Sequence, residues 1–233
     1  MAPRRAAGSP PELHVSQMTE MLRIVIDRLV AAIALALLSP ILLVAAIAIV
    51  WGDGFPIFYR QKRIGLHGRP FWCLKFRSMR NANTGTSITA SADPRITAVG
   101  AVLRAYKLDE LPQLLNVVRG EMSLIGPRPE VPLFVDTKDP LWRCVLSVRP
   151  GLSDLASLVY RHEERVLAGA SDPEKLYRSE VLPRKLRLST FYIQNRSAAR
   201  DLKLLLLTAR YSFLPVGFEP QRVLRSFSYT EEP

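Results

Sequence analysis

Cysteine, histidine and acidic residues are scarce in this sequence. Its 233 residues include two cysteines and three histidines. Cys73 and Cys144 cannot make a disulfide framework, which suits a reducing compartment. His14, His67 and His162 stand apart, and with the two cysteines they give no zinc-ligand spacing. Asp and Glu number 21 against 32 Lys and Arg, for a net charge of +11 and a pI of about 10.1. That balance favours anionic partners: nucleic acid, acidic headgroups or phosphorylated substrates. No fixed-period repeat or low-complexity tract is present. The length allows one core, or one domain with a membrane element.

Charge is missing altogether from Leu29 to Trp51. As a straight helix this run would reach roughly 30–35 Å, enough to cross a bilayer core. It begins too late and runs too long for a simple signal peptide, and no small-residue cleavage site follows it. Ser39-Pro40 interrupts it. Pro40 has no N–H, and its ring clashes with the Ala36 carbonyl, so a kink or break is expected there. The Ser39 hydroxyl can satisfy a freed carbonyl. Arg23 and Arg28 flank one end, and Arg60, Lys62 and Arg63 the other. Cations at both ends fit two cytoplasmic ends. Two arrangements stay open on these grounds, a spanning helix and a re-entrant one.

Residues 1–20 are rich in Pro, Ala, Arg and Ser and read as a mobile leader. The expected division is leader 1–20, membrane helix 21–52, cytoplasmic domain 53–215 and C-terminal tail 216–233. Phe55–Arg60 and Phe71–Phe76 read as short strands around a Gly65–Gly68 turn. The polar loop 81–92 is a plain surface loop or a lid. Val99–Lys107 reads as a helix. Glu174–Ser197 and Asp201–Phe213 are basic amphipathic stretches, suited to a membrane surface or to an ordinary core.

The feature that points to chemistry is the acidic pair Asp109-Glu110 among cations. Arg104 and Lys107 precede it, Lys75 and Arg77 lie upstream, and Gly126-Pro-Arg-Pro-Glu130 follows. Cations hold an anionic phosphate ester, while acids bind a metal or attack phosphorus. Pro112 suits only a first helical turn, which puts both acids near a helix start. Neighbouring residues do not share a helix face, so the two acids should do different jobs.

Taken together, these segments resemble the small monotopic family of bacterial polyprenyl-phosphate glycosyl-1-phosphate transferases. The resemblance rests on ordered blocks: Asp27, Ser39-Pro40, Arg60–Gly65, Lys75–Met79, Asp93–Thr97, Leu108–Gln113, Met122–Pro129 and Arg149–Gly151. It implies an α+β, mostly helical fold. A re-entrant membrane helix-break-helix would lead into a compact cytoplasmic domain with short strands and amphipathic interfacial helices. The location implied is the cytoplasmic face of the bacterial inner membrane. The reaction implied moves a sugar-1-phosphate from a nucleotide sugar, with UDP the expected nucleotide, to polyprenyl (undecaprenyl) phosphate. Mg2+ would be the cofactor. Asp109 would be the nucleophile, forming a phospho-sugar aspartate, and Glu110 its partner at the metal or in proton handling. Lys75, Arg77, Arg104 and Arg128 would bind phosphate. Pro127, Arg128, Pro129 and Arg149 would contact the nucleotide. Membrane lipids are implied partners and nucleic acid is not; a homodimer is compatible. The chain departs from the family at Ile24, Phe55 and Ser153-Asp154. It sits closer to a subset with Ala156-Ser157, Glu163-Glu164 and Asp172-Pro173, a shift that bears on sugar preference. The competing reading is a non-enzymatic, membrane-anchored basic module for acidic lipid or nucleic acid. That reading gives no reason for Asp-Glu amid the cations.

Overall fold

The computed structural model describes residues 17–80, 93–214 and 216–230. Residues 1–16 of the expected leader and the whole 81–92 loop lie outside them. Helix α1 runs Gln17–Asp53, so it starts inside the segment expected as leader. Its helical backbone runs on through Pro40. The reason is local: the Ser39 hydroxyl donates to the Ala36 carbonyl at 2.8 Å, the acceptor that Pro40 cannot serve.

Helix α1 is the one described helix long and apolar enough to cross a membrane. It also packs on the rest of the protein along its length. Asp27, Ala31, Ala45 and Ile49 are buried, and Ala34, Leu35, Leu38, Leu42 and Ala46 pack half-buried between them. Steps of three and four residues put these side chains on one face. Leu29, Ile33, Leu37, Leu43 and Val44 are exposed on other faces. Both ends are fastened to the same domain. Arg23 pairs with Asp201 at 2.8 Å. At the other end the Arg77 guanidinium binds the carbonyls of Asp53 at 2.7 Å, Phe55 at 2.6 Å, and Gly54.

Strands β1 (Phe58–Ile64) and β2 (Pro70–Phe76) form an antiparallel hairpin in register from Phe58↔Phe76 to Ile64↔Pro70. β1 starts three residues later than expected, because Arg77 holds the carbonyls of 53–55 instead. Helix α2 (Ala98–Ala105) is capped by Thr97, whose side chain accepts from Gly100 N. A 3-10 turn, Leu108–Gln113, and helix α3, Leu114–Arg119, follow. Then come β3 (Ser123–Ile125), α4 (Pro140–Val145) and β4 (Gly151–Ser153). β3 and β4 pair in parallel, Ser123↔Gly151 and Ile125↔Ser153. The backbones meet so closely at Gly126 and Gly151 that a Cβ on either would collide with the other segment.

Helices α5 (Leu155–Val159), α6 (Glu163–Ala168) and α7 (Pro173–Leu176) come next. A π-helical turn, Tyr177–Val181, leads into α8 (Leu182–Gln194) and α9 (Ala198–Phe213). The expected tail carries one more helix, α10 (Pro220–Ser226), and places Val223 and Phe227 in the main core with Ala31, Val117, Met122 and Leu204. Among the described residues the result is mostly helical with four short strands, as the α+β expectation has it.

Candidate active site

Lys107 takes a left-handed backbone, φ 57°, and turns the chain from α2 into the 3-10 turn. Asp109 and Glu110 fall in that turn's first residues, and Pro112 sits further along it. The two acids meet different surroundings. Asp109 is 5% exposed, and its Oδ1 has no hydrogen-bond partner among the described residues. Burial first, and the Glu110 charge second, push its carboxyl above the ordinary range against the pull of Lys75, Lys107 and Arg104.

Glu110 is saturated with cations. Lys75 Nζ donates to its Oε1 at 3.1 Å and Arg128 NH1 to its Oε2 at 2.9 Å, while Arg128 NH2 also binds Oε1. Burial opposes its ionisation. The Arg128 and Lys75 charges and the Arg128 hydrogen bond outweigh burial and hold the carboxyl well below the usual range. Two adjacent carboxyls are thus driven apart. Asp109 keeps a bare, poorly solvated oxygen, and Glu110 anchors the local cations.

Arg128 reaches Glu110 because its backbone is clamped on both sides. Gly151 N donates to the Pro127 carbonyl at 2.9 Å, and Arg63 NH1 to the Pro129 carbonyl at 3.0 Å. The β2 strand that carries Lys75 is fixed by buried Asn116. Asn116 accepts from Leu74 N at 3.1 Å and donates to the Trp72 carbonyl at 2.8 Å and to Glu121 at 2.7 Å. Its only sequence signal was an amide inside the apolar run Leu114–Val118.

The other expected phosphate and nucleotide residues are placed differently. Arg104 pairs with Glu164, a residue with no assigned role in the sequence reading, and its charge still reaches Asp109. Arg77 is committed to the end of α1, as above. Arg149 donates to the Gly120 carbonyl at 3.2 Å and pairs with Glu20 at 3.4 Å, tying α1 to the end of α3. Neither Arg77 nor Arg149 contacts the dyad carboxylates among the described residues; both bind backbone carbonyls. The reason is that unpaired carbonyls at element ends compete for arginine forks as well as phosphate does.

Ser39 and Pro40 line an apolar groove of about 600 Å³ with Leu35, Phe58, Phe76 and Pro112. Pro112 belongs to the same 3-10 turn as Asp109, which places the groove beside the dyad. For a metal, no group of three or more His, Cys, Asp or Glu side chains converges among the described residues. Magnesium commonly takes one or two carboxylates plus substrate phosphates, and the Asp109 carboxylate fits such a shared site. Both Glu110 oxygens are taken up by cations instead.

A buried carboxyl, clustered cations and an adjoining apolar groove suit chemistry on a phosphate ester. The signature of the bacterial sugar transferase family matches residues 18–214, and the chain belongs to that family. It is similar to the UDP-glucose:undecaprenyl-phosphate glucose-1-phosphate transferase of Caulobacter vibrioides, 38% identical over 209 residues, covering 88% of this chain and 73% of that protein. It is similar to the exopolysaccharide production protein ExoY of Rhizobium meliloti, 36% identical over 199 residues, covering 78% and 81%. A UDP-N-acetylgalactosamine-undecaprenyl-phosphate N-acetylgalactosaminephosphotransferase of Aeromonas hydrophila is 36% identical over 189 residues, covering 79% of this chain and 42% of its own. The chain is a transferase, and the non-enzymatic basic module is set aside.

Proposed function

We propose that the protein moves a sugar-1-phosphate from a UDP-sugar to undecaprenyl phosphate through a covalent acyl phosphate on Asp109. The observation that carries this reading is the buried, unpartnered Asp109 Oδ1 beside an apolar groove. That oxygen attacks the phosphorus that bears the sugar. The diphosphate P–O bond breaks, and the nucleoside monophosphate leaves with the bonding electrons. An oxygen of the lipid phosphate then attacks the phosphorus of the acyl phosphate, and the Asp109 carboxylate leaves unchanged. No base is needed once Asp109 is ionised, and Lys75, Lys107 and Arg104 pull its carboxyl towards that form against the burial that raises it. Lys75, Arg128 and Arg104 offset charge building on the equatorial oxygens. Mg2+, when bound, supplies further charge neutralisation. Glu110 keeps Lys75 and Arg128 in place. The groove at Ser39-Pro40 takes the start of the polyprenyl chain, which brings the lipid phosphate to the turn that carries Asp109.

The same reading makes α1 re-entrant and the protein monotopic on the cytoplasmic face of the bacterial cell membrane. Its support is the buried face that α1 presents along its length and the attachment of both its ends to one domain. α9 fits the same surface: Leu202 and Leu206 stand exposed one turn apart, with Lys203 and Arg210 nearby. The test is a panel of nucleotide sugars with and without undecaprenyl phosphate. Lipid-dependent turnover, with UMP released continuously from one UDP-sugar, is the expected result. Sugar transfer without release of a nucleoside monophosphate would overturn it.

A further inference from the structure

The β1–β2 hairpin has two unlike faces. One carries Lys75, Cys73 and Arg63, which meet Glu110, the core and Glu130 respectively. The register puts Phe58 beside Phe76, Arg60 beside Leu74, and Lys62 beside Trp72 on the other. There Phe58 and Phe76 stack 5.4 Å apart and line the groove next to Ser39 and Pro40. Two and four positions further along the strand, Arg60 and Lys62 are exposed, and neither has an ion pair among the described residues. Trp72 beside them is 58% exposed.

This face is fixed where α1 ends. Arg77, the residue after β2, binds the carbonyls of Asp53, Gly54 and Phe55. Trp51 and Phe55, at 87% and 76% exposure, stand at the same end of α1. Indole rings favour the headgroup level of a bilayer, and unpaired cations favour anionic lipid.

We propose that the hairpin face formed by Phe58, Arg60, Lys62 and Trp72 docks on anionic phospholipid headgroups. The inference rests on the placement of α1 in the membrane, because the end of α1 runs directly into the hairpin and brings it to the bilayer surface on the domain's side. Docking there would hold the mouth of the groove at headgroup level, where a lipid phosphate arrives.

The test uses the full chain in nanodiscs of phosphatidylcholine, with or without phosphatidylglycerol, containing brominated lipid as a quencher. Trp142 is buried, so subtracting Trp72→Phe or Trp51→Phe spectra from the parent isolates each exposed indole. Trp72 should be quenched, and more strongly with phosphatidylglycerol. A surface cation is worth about 1 kcal/mol, about five-fold, so Arg60→Gln with Lys62→Gln should weaken docking about 25-fold and abolish the phosphatidylglycerol dependence. Trp51 quenched with Trp72 unquenched would overturn the hairpin proposal alone. Both unquenched would overturn the membrane placement of α1 with it. Trp72 shielded from aqueous acrylamide yet untouched by brominated lipid would mean a protein covers the face. A phosphatidylglycerol response unchanged in the double variant would also refute the proposal.

Discussion

Replacing Arg128 with leucine tests whether Glu110 is held by the cations around it. The change removes two of the three hydrogen bonds to Glu110 that involve a cation and leaves Lys75 at 3.1 Å. Breaking one side of a fully buried pair costs about 3–5 kcal/mol. Arg128 is 28% exposed and Lys75 remains, which argues for the lower end, about 2–3 kcal/mol. In a domain of this size that lowers Tm by about 4–12 °C. The assay is thermal unfolding in detergent, followed from neutral to acidic pH. Glu110 titrates well below its ordinary value in the folded protein. Its contribution to stability is therefore full above an unfolded value of about 4.3, and it is lost as pH falls through the folded value. In Arg128→Leu the Glu110 carboxyl rises towards that unfolded value, so the gap to the parent should be widest near pH 7 and narrow below about pH 4.3. A neutral-pH Tm within about 2 °C of the parent, or a gap that widens on acidification, would refute the reasoning.

Asp109→Asn should abolish transfer yet raise Tm at pH 7, because burial makes the ionised carboxylate unfavourable there; about 1 kcal/mol, or about 2–4 °C, is expected, and an equal or lower Tm counts against it. The acid limb of kcat/KM should lie above the ordinary Asp value of 3.8, with activity lost as pH falls through the raised value. Gly126→Ala would drive a Cβ into the Arg149 carbonyl and shift the clamped Pro127–Pro129 segment, so turnover should fall even in protein that remains folded; normal kcat in that variant would remove the clamp from the account. Arg104→Lys should lower turnover at saturating donor well beyond Arg225→Lys, since lysine lacks the two-pronged fork. Cysteines at Met18 and Lys62 should both resist an impermeant label in intact cells and react after lysis, and labelling of position 18 alone would mean that α1 spans.

Several elements were legible in the sequence because each rests on a local pattern. The uncharged run pointed to α1, aromatic and β-branched residues to the hairpin, and Asp109-Glu110 to a cation cluster that Lys75 and Arg128 complete. Ser39 was legible as the group that satisfies Ala36, but the continuity of the helix through Pro40 was not. Which cations reach the dyad was not legible either, because that depends on distant carbonyls. Arg77 is drawn to the end of α1 and Arg149 to Gly120, while Lys75 and Arg128 go to Glu110. The β3–β4 pair escaped because three-residue strands carry no periodicity; they join only through the close approach of Gly126 and Gly151. Residues 216–233 read as a tail, yet Val223 and Phe227 are enough to seat α10 in the core.

The central claim is the bond to Asp109, and mass measurement of the intact protein tests it most directly. The protein is mixed with its UDP-sugar and magnesium in the absence of lipid acceptor, quenched in denaturant and digested. The account predicts a mass increment of one sugar phosphate on the peptide containing Asp109. That increment should disappear on addition of undecaprenyl phosphate and be absent from Asp109→Asn. An increment on another residue, or a fully active protein that never carries one while UMP is released, would contradict it.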